Sequence, residues 1–263
     1  MKKLFLIRKS IDKKIYTIIA LISFLVLLGI WTILSVSGLV NSVFLPTPMA
    51  VINALISSIN DGTLWGDIGI SVFRIFMGFL LAVIIGVPLG ILAGTFKIAE
   101  AYIQPLVEFI RYMPVPAFIP LIMVWIGIDE KAKIAVIFFG TLFQLIPMVA
   151  DNARGVHDDL VNAGYTLGAT KTQVIFKILI PGMMPKLMDT LRMIMGWAWT
   201  YLVVAELVAA NSGLGYSILK SQRFLKIDKI FMGIFVIGIL GLITDRTFAF
   251  INKKLFKWAE GGV

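Results

Sequence analysis

The sequence predicts an all-α polytopic membrane protein with six transmembrane helices. Three observations carry that expectation. The chain of 263 residues is 59% hydrophobic and only 15% charged, with a mean hydropathy of +0.95, far above that of an ordinary soluble domain. Its apolar windows are continuous rather than alternating, which suits helices and argues against barrel strands. Its basic residues gather on one side of the spans those windows define.

The first window, residues 15–36, carries no charge and is long enough to cross a hydrocarbon core of about 30 Å. A basic segment, residues 1–14, precedes it, with Lys2, Lys3, Arg8, Lys9, Lys13 and Lys14. The apolar run is too long for the hydrophobic part of a cleavable leader, and no small-x-small site follows, so it reads as a retained first helix. Residues 37–70 are expected outside. There "FLPTP" is followed by Val51, Leu55 and Ile59 at helical spacing, which predicts an amphipathic helix along the outer interface.

A core over residues 71–255 then holds an uncharged second span, 75–96, and four weaker ones over 101–128, 134–150, 191–210 and 230–250. Pro88 and the cluster Pro114, Pro116 and Pro120 predict kinks in spans two and three. Gly213 and Gly215 predict a turn after span five. A short tail, 256–263, ends the chain.

With six crossings and a basic start inside, both termini are expected in the cytoplasm. Inside segments then hold the six N-terminal cations, Lys97, five around the central polar segment and four at the C-terminal end, against six outside. The net charge of +9 is thereby mostly topology. It does not predict nucleic-acid binding, since no basic patch is interleaved with aromatic residues.

The same count places residues 151–186 in the cytoplasm as the longest inner segment. Its local signals describe a hairpin of two short helices. Asp158 or Asp159 is expected to cap the first, Gly168 and Ala169 to make the turn, Thr170 with Gln173 to form a capping box, and Pro181 to end the second helix. A water-compatible hairpin in a minimal membrane protein predicts a docking element, and the small residues Ala163, Gly164, Gly168 and Ala169 would let a partner approach closely.

This segment resembles the cytoplasmic coupling motif of ABC-importer permeases: Asn162-Ala163-Gly164 at the family's Glu-Ala-Ala, then Gly168, then Ile178 ahead of Pro181. "LPTPMAV" (45–51), "SVFRIFMGFLLAVIIGVPLGILAG" (71–94), "RYMPVPAFIPL" (111–121) and "AELVAANSGLGY" (205–216) are similar to the nitrate/sulfonate/taurine/bicarbonate branch of the same permeases. The resemblance implies a type I importer permease fold with coupling helices in the inner membrane. It implies two separate ATPase subunits docked on the hairpins, a second copy of this chain, and an extracytoplasmic solute-binding protein. Coupling would fall to residues 159–181, through Asp159, Asn162, Ala163, Gly164, Leu167, Gly168, Ala169 and Pro181.

The chain's own chemistry is sparse. "GYTLGATKT", residues 164–172, fails as a phosphate loop because Lys171 does not directly follow the second glycine of that pattern. His157 is the sole histidine and cysteine is absent, so zinc sites of the H-E-x-x-H kind, thiolate metal sites and a Ser-His-Asp arrangement with G-x-S-x-G are excluded. No cofactor is expected. A membrane enzyme or a scaffold remains the alternative of another class.

Ionisable groups at membrane depth cost about 2.5–3.5 kcal/mol each on insertion scales and need a partner or a wet cavity. Glu108 and Arg111 are spaced for a local ion pair. Arg74 sits where it could snorkel to the outer surface. Arg192, Gly196, Trp199, Val203 and Glu206 share one face of span five, which suits either a water-accessible translocation pathway, with Arg74 offsetting Glu206, or an interhelical hydrogen bond. Gly78, Ala82, Gly86, Gly90 and Gly94 recur every fourth position in span two and predict close helix packing, within the subunit or across a dimer. An anion is the expected solute; a heterocycle stacking on Trp197, Trp199 or Tyr201 is the alternative.

Overall fold

The computed structural model describes residues 12–41 and 43–258. The cations at 2, 3, 8 and 9 and the last five residues lie outside them. Helix α1, Lys13–Val36, starts where the Asp12 side chain accepts from the Lys14 amide at 2.9 Å. Most of its apolar residues are exposed, as a lipid-facing helix requires. Near its far end Trp31 donates to the Pro46 carbonyl at 2.9 Å and stacks between Phe231 and Phe235.

The expected amphipathic helix after the first span is present as α2, Pro48–Asn60, capped by Thr47 with proline at its first position. It buries Val51 and Ala54 in a cluster with Leu214, Met232 and Val236. Gly62, at φ 71°, turns the chain directly into α3, Thr63–Thr95, so span two begins well before its apolar window. Span three is not one helix. It is α4, Lys97–Arg111, and α5, Val115–Ile126, bent by 99° about the Pro114 break. Helix α6, Glu130–Arg154, follows.

The central polar segment forms the expected hairpin from α7, Asp158–Thr166, and α8, Lys171–Val174. Gly168 turns it at φ 80°, with the Ala169 amide donating to the Gly164 carbonyl at 3.0 Å, and the Thr170–Gln173 capping box is complete. Two expectations fail here. His157 rather than an aspartate occupies the cap of α7, and its side chain makes no capping bond; Asp158 and Asp159 instead sit in the first turn, where the helix dipole favours them. Pro181 does not end the second helix. The backbone widens into a π-helical turn over Ile175–Leu179 and runs straight on into α9, Ile180–Ala209, so Pro181 lies within a continuous helical stretch. An unforeseen helix α10, Leu214–Arg223, follows the glycine turn, and α11, Ile227–Leu255, completes the chain.

Among the described residues, α1, α3, α6 and α11 are long and apolar enough to span a membrane, and the bent α4–α5 pair makes a fifth. Helix α9 reaches the needed length but carries Lys186, Asp189 and Arg192 in its first half. It nevertheless packs antiparallel against the later part of α11, through the Asp189–Asn252, Arg192–Asp245 and Trp199–Thr244 contacts.

The core is a layer of α3, α6 and α9. Its tightest seam is the small-residue stripe of α3 against α6, within one subunit. A Cβ on Gly78 would lie 2.7 Å from Ile137 Cβ, one on Gly90 2.5 Å from Val149 Cβ, and one on Gly94 2.5 Å from the Ala150 carbonyl. Ala82 in the same stripe is wholly buried, and Gly86 meets Leu145. The sequence offset is the same for Gly78–Ile137, Gly86–Leu145, Gly90–Val149 and Gly94–Ala153, so the two helices run parallel, and α4–α5 must return across the bundle between them.

Candidate functional site

At one end of the bundle, the starts of α3 and α6, the end of α9 and the loop before α10 converge on Arg74. Its guanidinium is fully buried and donates to Glu206 Oε1 at 2.6 Å, to both Glu130 oxygens at 2.6 and 2.8 Å, and to the Ser212 carbonyl at 2.7 Å. Glu206, equally buried, also accepts from the Ser71 hydroxyl and the Gly215 amide, each at 2.7 Å. Lys133 bonds Glu130 at 2.8 Å, and Asp67 accepts from the Gly213 amide at 2.8 Å. A Cβ on Gly213 would collide with the Glu206 carboxylate, so that loop can close over the pair only with glycine there.

Arg74 therefore does not snorkel. A fixed set of donors around two carboxylates satisfies each charge more cheaply than stretching one side chain to the surface. Most of the span-five stripe also meets partners within the chain. Arg192 is forked onto Asp245, buried Trp199 donates to Thr244 at 3.1 Å, and half-buried Val203 packs beside Gly215, whereas Gly196 meets no neighbouring atom. The expected Glu108–Arg111 pair does not form: Glu108 accepts from Gln104 at 2.8 Å, and Arg111 donates to the Tyr112 hydroxyl at 3.1 Å. Sequence reading missed Glu130, Ser71 and Ser212. Only their nearness in space to Arg74 marks them, and no local spacing could.

At the other end lies the hairpin. Lys171 sits 4.5 Å over the Phe96 ring and Arg154 bonds Glu100 at 3.0 Å, which ties α8, α3, α4 and α6 together. Since α1 and α11 pack together around Trp31 at the Arg74 end, the start of α1 and the finish of α11 lie at the hairpin end. Asp159, Asn162, Ala163, Leu167 and Gly168 are exposed, with Leu167 87% accessible, and Leu160, Tyr165 and Phe176 add exposed apolar surface. Gly164 is different. It is buried, and a Cβ there would strike the Ile178 side chain, so its smallness serves packing inside the hairpin rather than an approaching partner.

Residues 86–257 match the family described as binding-protein-dependent transport system inner membrane component. The chain belongs to that family. It is similar to the putative aliphatic sulfonates transport permease protein SsuC of Bacillus subtilis, 35% identical over 89% of this chain and 84% of the relative. It is also similar to the taurine transport system permease protein TauC of Escherichia coli, 31% identical over 89% and 86%. Its backbone superposes on an inward-facing structure of the MetNI methionine ABC transporter with a TM-score of 0.64, at 20% identity, over 73% of this chain and 95% of the other. The fold is thus that of the type I importer permeases. As an inner membrane component of a binding-protein-dependent system, the chain places its hairpin and its buried charge cluster at opposite ends of the bundle.

Proposed function

We propose that the protein is the membrane-spanning permease subunit of an ATP-driven importer, acting as a pair of copies, and that its solute is a small organic sulfonate. The single observation that carries this is the family match over residues 86–257, joined to similarity with sulfonate and taurine permeases along nearly the whole chain. The hairpin end faces the cytoplasm, with both termini, in accord with the excess of cations there. ATPase subunits dock on α7 and the Leu167–Gly168 turn, and a solute-binding protein delivers cargo to the Arg74 end.

The backbone suggests how motion passes inward. From Lys171 to Ala209 the chain is helical without a break, through α8, the π turn and α9. A displacement imposed on the hairpin is therefore felt directly by α9 rather than lost in a flexible linker. ATP binding shifts the docked pair, and with it the balance between inward-open and outward-open forms, because the ATPases contact the two forms differently. Reconstitution of this chain with its ATPase and binding protein in liposomes tests the reading. ATP-dependent uptake of taurine or an alkanesulfonate is the expected result; uptake of nitrate, bicarbonate or a thiamine pyrimidine precursor with no sulfonate uptake would reject the substrate assignment.

A further inference from the structure

At mid-depth, the bend between α4 and α5 opens a cavity of about 490 Å³ against α6 and α9. Its depth follows from α6, since lining residues Phe143 and Gln144 lie midway between the outer Glu130 and the inner Arg154. Most of the wall is apolar, built by Val115, Phe118, Phe139 and Phe143. Gln144 and Tyr201 add polar groups, and Tyr201 can lie flat there because residue 140 is glycine: a Cβ would sit 2.5 Å from its ring.

One cation lines this cavity, Arg111, the last residue of α4. Arg74, Lys133 and Arg192 each meet a carboxylate. Arg111 does not: among the described residues its contacts are the Tyr112 hydroxyl and, at 5.0 Å, the Tyr112 ring. The one carboxylate a turn away, Glu108, is held by Gln104. A guanidinium at membrane depth with no counter-charge sits at a cost of about 2.5–3.5 kcal/mol unless water or an anion meets it.

We infer that this cavity is the anion-selecting station of the translocation path, with Arg111 holding the charged head of an organic anion and the Phe118, Phe139 and Phe143 rings holding its apolar body. The identification of the occupant as cargo rests on the import reading above. The chemistry favours an organic over an inorganic anion. Planar guanidinium donors match the oxygens of a sulfonate or carboxylate, whereas nitrate or bicarbonate would gain nothing from aromatic walls and would lose hydration beside them.

The absence of native cysteine makes a direct test simple. Phe118→Cys and Gln144→Cys, each as the sole thiol of the full chain in membrane vesicles, are reacted with anionic sulfonatoethyl or cationic trimethylammonioethyl methanethiosulfonate. In either case the thiolate attacks the reagent's sulfenyl sulfur, a disulfide forms and methanesulfinate leaves. Relative to a free thiol, the anionic reagent is expected to be favoured by about tenfold, as an unscreened neighbouring cation would dictate. Arg111→Gln should abolish that preference, Arg111→Lys should keep part of it, and butanesulfonate should slow the labelling. Equal rates for the two reagents, no labelling at either position, or a preference that survives Arg111→Gln would overturn the proposal. In the assembled transporter, Arg111→Gln should lower sulfonate uptake by about tenfold per complex. If the unmodified transporter imports no sulfonate while the labelling preference depends on Arg111, the import assignment fails and the anion site stands.

Discussion

Arg74 and Glu206, 132 positions apart in sequence, meet at 2.6 Å with neither side chain exposed to solvent. The pair fastens α3 to α9 at the end of the bundle away from the hairpin, and Glu130, 43% exposed, joins α6 to the same guanidinium. A buried charge stripped of its partner is costlier than no pair at all.

Arg74→Met is therefore expected to lower stability by about 3–5 kcal/mol, because it strands Glu206 in a dry site. Glu206→Met should cost less, because Glu130 and the Ser212 carbonyl still hold Arg74, and the double variant should recover part of the Arg74→Met loss. Thermal unfolding midpoints in detergent measure this. Strictly additive effects would show that the two residues act independently.

The α3–α6 seam makes a sharper steric prediction. Gly90→Val must push against Val149 and the Ile146 carbonyl, at an expected cost of about 1–3 kcal/mol. Gly69→Val, on the same helix with nothing within 4 Å, should be nearly neutral. Equal midpoints for both would mean that the seam is looser than its geometry.

Docking at the hairpin is best tested at Leu167, which is exposed and supports no packing within the chain. Leu167→Glu is expected to leave insertion and thermal stability unchanged and to abolish co-purification with the ATPase. Gly168→Asp should also lose the ATPase, but it forces a side chain onto a residue at φ 80°, so part of its effect is local strain of about 1 kcal/mol. Wild-type levels of bound ATPase with Leu167→Glu would remove the hairpin from the coupling interface.

The Trp199–Thr244 hydrogen bond joins α9 to α11 at mid-depth. Thr244→Val leaves the indole donor buried without its acceptor and should cost about 1–3 kcal/mol. Trp199→Phe with Thr244→Val should cost less than the sum of the single changes. Additivity, read from the same midpoints, would deny the bond any energetic weight.

What could be read along the chain was whatever acts over a few residues. The Thr170–Gln173 box, the Gly168 turn, the amphipathic helix α2 and the four-residue spacing of Gly78 through Gly94 are all local, and each appears where its spacing places it. Pro181 misled because a proline's effect depends on what the preceding turn can do. A π turn before it absorbs the clash and lets the helix continue.

The sequence by itself determined that this is a helical membrane protein with a polar hairpin between its spans, because hydropathy and capping are properties of contiguous residues. Only the tertiary structure decided that Arg74 is a buried clasp and that Arg111 is left without a counter-charge beside a cavity. Those two arginines look alike in sequence. What separates them is the company of carboxylates brought from distant helices, and the energy of a charge in a low-dielectric interior depends on that company rather than on its neighbours along the chain.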